Sequence, residues 1–133
     1  MSKEKIKTKL IRYQMKFEES GKSLNIKLGL SLEILIAFND DNKISITDSL
    51  SGWNPLSGFF KMSLKNAMIF NTISIVVFWI LFMFIFNSLK LYIGFEVFTM
   101  SLVCIWGYVL YWSTYYQIKA ESFKRTLMNW LDE

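Results

Sequence analysis

Residues 67–116 read AMIFNTISIVVFWILFMFIFN (67–87), SLKLYIGFE (88–96) and VFTMSLVCIWGYVLYWSTYY (97–116). No Asp, Glu, Lys or Arg occurs from Asn66 to Leu89, and none from Val97 to Ile118. Each charge-free run exceeds the ~18 apolar residues that mark a transmembrane helix, and ~20 helical residues cover the ~30 Å hydrocarbon layer. An amphipathic core helix would carry a polar stripe at a period of about 3.6 residues, and neither run has one. The stretch is therefore read as a helical membrane hairpin, with spans at about 67–86 and 92–115.

The rest of the chain is short. With 133 residues in all, one small soluble head is the most that fits beside a hairpin. Hydrophobic residues make up 53% and aromatic residues 17%, both high for a soluble domain. Five Trp and six Tyr suit a chain with two water–lipid boundaries to occupy. The net charge of +4 is assigned to anionic lipid headgroups and to topology control, so no nucleic-acid partner is expected. The start, MSKEKIKTKL, is charged and lacks an apolar core, so it does not read as a secretory signal.

Upstream of the hairpin the pattern changes to period two. Leu24, Ile26, Leu28, Leu30, Leu32, Ile34, Ile36 and Phe38 alternate with Asn25, Lys27, Gly29, Ser31 and Glu33. This predicts one long strand over 24–38 with one buried face, bent or bulged at Gly29. Asn39-Asp40-Asp41-Asn42 is a turn by composition, and Lys43–Thr47 alternates again. Residues 2–20 are ambiguous. Ile6, Leu10, Tyr13 and Phe17 share a helical face, yet Ile11, Tyr13, Met15 and Phe17 also alternate with polar residues. The turn-like ESGKS that follows favours a strand over 10–18. The expected fold is thus α+β: a small N-terminal antiparallel β meander of three strands, followed by a two-helix transmembrane hairpin.

Four segments follow from this reading. Residues 1–52 form a cytoplasmic β-rich head. Residues 53–66 form an interfacial helix or linker, with Asn54-Pro55 as cap and first helical residue and Trp53 at headgroup level. Residues 67–116 form the hairpin, and 117–133 a cytoplasmic tail that continues the second span as a helix. Lys61 and Lys65 precede the first span, and Lys119, Lys124 and Arg125 follow the second, while Lys90 alone marks the connection. The positive-inside rule then places both termini in the cytoplasm, in a cytoplasmic (inner) membrane.

No residue cluster declares a chemistry. There is no histidine, which removes imidazole catalysis and His-ligated metals. One cysteine removes thiolate zinc and iron–sulfur sites. Asp40, Asp41 and Asp48 lack the spacing of a calcium loop and read as a solvated turn. No cofactor or metal is expected, and no enzyme. Polar residues within the spans are the better candidates, because lipid penalises them. Asn71, Thr72 and Ser74 lie near the start of the first span, and Ser101, Cys104 and Gly107 recur every three residues in the second. Small and polar residues let helices approach closely, so these faces are expected to pack the two spans together or to join protomers. Glu96 lies near the start of the second span, either as a pore or partner contact or hydrated at headgroup depth.

Two functional classes follow. The first is a non-enzymatic, self-associating, membrane-anchored interaction subunit whose β head docks an unidentified protein. The alternative is an oligomeric pore-forming or membrane-permeabilising effector, of the defence or holin kind, gated by its head. Against the pore, neither span carries a continuous hydrophilic stripe.

Overall fold

The computed structural model describes residues 3–39, 43–89 and 94–132. The elements are α1 (Lys3–Arg12), β1 (Lys16–Ser20), β2 (Ser23–Gly29), β3 (Leu32–Phe38), β4 (Ile44–Leu50), α2 (Leu64–Leu89) and α3 (Phe95–Asp132). The fold is mixed α+β. Four antiparallel strands form an open sheet in the order β1-β2-β3-β4, followed by two long helices.

The run expected as one strand over 24–38 is a hairpin of two. Leu30 and Ser31 form the turn, with φ of 49° and 64°. A two-residue turn alone would set odd positions of β2 against even positions of β3. The register slips between Lys27 and Gly29, and this bulge restores the parity. Leu24 therefore pairs with Ile36 and Ile26 with Ile34. All four, together with Leu32, are fully buried on one face. The apolar alternation runs through the turn unbroken because turn and bulge cancel. Gly29 does mark a bulge, as its place in the pattern predicts.

The expected strand over 10–18 is also corrected. Ile6 and Leu10, one helical turn apart, are buried in the core, and their burial holds 3–12 as a helix. The helix ends in a Schellman-type closure: Met15 N donates to Leu10 O and Gln14 N to Ile11 O, each at 3.0 Å. Gln14 occupies the left-handed position at φ 55°, where glycine is the usual occupant. The pairing of β1 starts only at Lys16. Lys3 and Lys7 both ion-pair with Glu19 of β1, which fastens α1 to the sheet edge. The meander thus has four strands, one more than expected.

The interfacial helix expected over 55–66 is absent before Leu64. Residues 51–63 form a loop closed by Asn54, itself only 1% exposed. Its Oδ1 accepts from Leu56 N at 3.0 Å and Ser57 N at 2.8 Å, while its backbone N donates to Gly58 O at 2.9 Å. Asn54 caps a turn here, not a helix. Helix α2 starts instead from Ser63, whose Oγ accepts from Asn66 N at 3.2 Å.

Helix α3 serves two environments. From Tyr116 onward its inner face, Tyr116, Ala120, Phe123, Leu127 and Trp130, is buried against the same core as α1 and the sheet. Spacings of three and four residues put these side chains on one stripe. Tyr13 of the α1–β1 connection stacks on Trp130 at 5.2 Å. The tail expected as a continuing helix is therefore continuous with the second long helix, and it completes the hydrophobic core.

Candidate functional site: the paired long helices and their junction with the sheet

Helices α2 and α3 run antiparallel. Gln117 Nε2 lies 3.3 Å from Met68 Sδ at the sheet end, and Phe98 stacks on Phe82 at 5.4 Å at the far end. Both helices are long and apolar enough to cross a membrane by length and composition. At ~1.5 Å per residue, the 26 residues of α2 span roughly 39 Å. A core helix of a soluble fold would pass the same test, but it would be buried. Here only 6% of each apolar window is buried. Phe84 is 72% exposed and Met100 70%.

Between the helices lies a groove of about 400 Å³. Asn71, Ser74 and Ser101 line it, together with Phe78, Phe82 and Phe98. Three of the residues singled out from sequence therefore meet. Asn71 is the most constrained of them: its Nδ2 donates to Leu56 O at 2.6 Å and to Ala67 O at 2.8 Å, tying α2 to the preceding loop. Ser101 Oγ donates to Phe98 O at 2.7 Å, the back-bonding that satisfies a hydroxyl in apolar surroundings. Thr72 does the same to Met68 O. Phe82, Phe86 and Phe98 close the far end, with centroids 4.8–6.1 Å apart.

Cys104 and Gly107 do not join this groove. Cys104 is exposed, and a Cβ placed at Gly107 would meet nothing within 4 Å. The row Ser101, Cys104, Gly107 is thus divided: the first residue faces α2 and the other two lie open. Glu96 is exposed in the first turn of α3, where a carboxylate suits the positive end of the helix dipole. Lys90, in the connection, and Tyr92, the expected start of the second span, lie outside the described residues.

The junction with the sheet depends on a residue that sequence reasoning misplaced. Asp48 does not belong to the turn with Asp40 and Asp41, which fall outside the described residues. It sits on β4 opposite Ile34, on the core side of the sheet. Its Oδ1 accepts from Leu64 N at 3.2 Å, and its Oδ2 from Lys124 Nζ at 2.9 Å. One carboxylate thus meets the first residue of α2 and the middle of the buried half of α3. Burial pushes the Lys124 ammonium toward deprotonation, but hydrogen bonds to Asp48 and Glu121 outweigh it and hold its pKa above the usual lysine value. The signal for Asp48 was present in the alternation Ile44, Ile46, Asp48, Leu50, which puts an acid at an inward position.

Among the described residues, no group of three or more His, Cys, Asp or Glu side chains is placed to hold a metal ion. Compared with protein-family models, with curated proteins and with solved structures, the chain matched none.

Proposed function

We propose that this protein is a membrane-anchored interaction subunit. The two long helices form a hairpin that crosses a bilayer, and the sheet with α1 and the second half of α3 forms a head on the cytoplasmic side. The observation that carries this is the exposure of apolar side chains along α2 and the first half of α3, against a fully packed core under the sheet. Removing such surface from water is worth ~25 cal/mol per Å², and lipid is the medium that covers a helix on all sides. The head has no chemistry of its own; it presents a polar outer sheet face, including Asn25, Lys27 and Glu33, to a protein partner. The hairpins self-associate through faces left open by the α2–α3 contact.

The alternative is an oligomeric pore in which several hairpins surround a conducting path. The polar patch of Asn71, Ser74 and Ser101 in the interhelical groove favours this reading. One experiment addresses both. The protein is expressed in cells carrying a membrane-potential dye, and its mass is measured by native spectrometry after extraction from carbonate-washed membranes. Retention in washed membranes as a multimer without depolarisation supports the anchored subunit. Depolarisation supports the pore. Release by carbonate overturns both.

A further inference from the structure

The loop of residues 51–63 exposes more aromatic surface than a connecting loop has reason to. Trp53 is 63% exposed, Phe59 80% and Phe60 65%. Loops in water are normally polar, and nothing in the hydrogen bonding of this one requires aromatic residues. It is also held rigid. Asn54 locks one end, and Ser57 Oγ donates to Phe60 O at 2.8 Å. Leu56 already fills the inward position at 4% exposure, leaving Phe59 and Phe60 outside.

Two further observations say what covers them. Phe60 lies 6.3 Å from Phe70, in the second turn of α2, so the aromatic surface of the loop is continuous with the apolar surface of the hairpin. Lys61, next in sequence, is exposed beside it. Apolar rings beside a basic residue at a helix entrance is the pattern of the membrane interface, where rings sit at headgroup depth and ammonium groups meet lipid phosphates.

The β2–β3 turn points the same way. Leu30 stands at its tip, 51% exposed, in a left-handed conformation that Asn or Gly fills at lower cost. Its carbonyl accepts from Tyr116 OH at 2.7 Å, at the place where α3 passes from its exposed apolar half to its buried half. Ser31 Oγ donates to Trp53 O at 2.7 Å, which joins this turn to the neck of the aromatic loop.

We infer that Phe59 and Phe60, with Trp53 and Leu30 at the same rim, are embedded in the lipid leaflet from which α2 starts, so that the head is seated on the membrane surface and not suspended below it. This rests on the hairpin spanning a bilayer. The test uses the full chain with Cys104→Ser, which removes the single thiol, and one nitroxide label per variant at Phe59→Cys, Phe60→Cys, Val76→Cys or Thr47→Cys. Each is reconstituted into phosphatidylcholine vesicles containing phosphatidylglycerol. Collision with oxygen, which concentrates in lipid, is compared with collision with a water-soluble nickel chelate. Labels at 59 and 60 should be several-fold less accessible to the chelate than the label at Thr47, an exposed position on the outer sheet face. If they match Thr47 while Val76 remains lipid-like, the seating is wrong and the anchored hairpin stands. If Val76 also meets the chelate, the spanning reading fails and the seating fails with it. Both Phe sites are exposed, so labelling them does not disturb the core, and a circular dichroism spectrum like that of the parent checks this.

Discussion

Lys124 donates to Asp48 at 2.9 Å across 76 positions of sequence, and the same carboxylate receives the first backbone amide of α2. Three elements therefore meet at one side chain: β4, α2 and α3. Both partners are mostly buried, with side chains 24% and 21% exposed, so solvent screens the pair less than a surface ion pair. Asp48→Ala should destabilise the fold by about 2–3 kcal/mol, since it strands a partly buried ammonium and an orphan helix amide. Asp48→Asn keeps an acceptor for Leu64 and should cost less. A double-mutant cycle with Lys124→Ala should return a coupling near 1 kcal/mol, measured by denaturant unfolding in detergent. The folded pKa of Lys124 lies above its ordinary value of 10.5, so its contribution is complete below that pH and declines as pH rises beyond it. Additive single mutants would show that the two side chains merely neighbour one another.

The β2–β3 turn should be open to stabilisation. Leu30 and Ser31 both hold positive φ, a conformation that costs side chains other than Gly and Asn about 1–2 kcal/mol. Leu30→Asn supplies the residue preferred at the first position of such a turn and leaves Ser31, whose Oγ donates to Trp53 O, in place. The Tyr116 bond goes to the backbone of Leu30 and survives the change. Thermal unfolding in detergent should shift upward by several degrees. In lipid vesicles the gain should shrink, because Asn gives up whatever Leu30 contributes at the membrane rim. A fall in detergent would show that the Leu30 side chain supports the fold itself.

Much of the fold was legible where one face decides the pattern. The inward positions of β2 and β3 follow from their alternation, and the two long helices from their lack of charge. The boundary inside 24–38 was hidden because a bulge offsets the turn, leaving the alternation intact. The end of α1 was hidden because its left-handed closing residue is Gln14, which carries no stop signal in sequence. Residues 55–63 read as the start of a helix because Leu56, Phe59 and Phe60 fall at helical spacing; Asn54 overrides that spacing with hydrogen bonds to the turn it closes. Of the candidate site, Asn71, Ser74 and Ser101 do converge. Asp48 was misread because its partners, Leu64 and Lys124, come from segments 16 and 76 residues away.

Acid should loosen the sheet edge first. Hydrogen bonds from Lys3 and Lys7 hold the Glu19 carboxyl at about 2, below its ordinary 4.5. Glu33 is also held low: burial pushes it up, but hydrogen bonds from Ser51 and Asn25 outweigh that effect. A depressed folded pKa means stability that is present above the unfolded value and lost as pH falls through the folded one. The fastening of α1 to β1 through Glu19 should therefore weaken as pH drops from about 4.5 toward 2, while Ile6 and Leu10 keep the helix packed on the core. Circular dichroism melts across this range should show a steeper decline for the parent than for Glu19→Gln. Added salt should weaken the effect, because Glu19 is solvent-exposed and screened. Parallel pH profiles for parent and variant would assign the acid transition elsewhere.

Self-association should run through the open side of α3. Cys104 and Gly107 lie outside the interhelical groove, and a Cβ placed at Gly107 has open space within 4 Å. Gly107→Leu therefore fits the monomer without strain, so any loss of assembly on this change reports a neighbouring copy and not a damaged fold. In a bilayer, helix association depends on close approach of backbones, and a leucine at such a contact holds the helices apart. Native mass in several gentle detergents should show a multimer for the parent and a shift toward monomer for Gly107→Leu. Ile73→Leu, an exposed position on α2, should leave the mass distribution alone. Cys104 adds a geometric check: at a symmetric contact with Cα atoms within about 7 Å, mild oxidation in membranes yields a covalent dimer that Gly107→Leu suppresses. Ser101 should be silent in both assays, since it faces α2 within one chain. A monomeric parent, unchanged by Gly107→Leu, would sink the self-association and the pore together. It would leave a single hairpin whose head must find its partner in another protein.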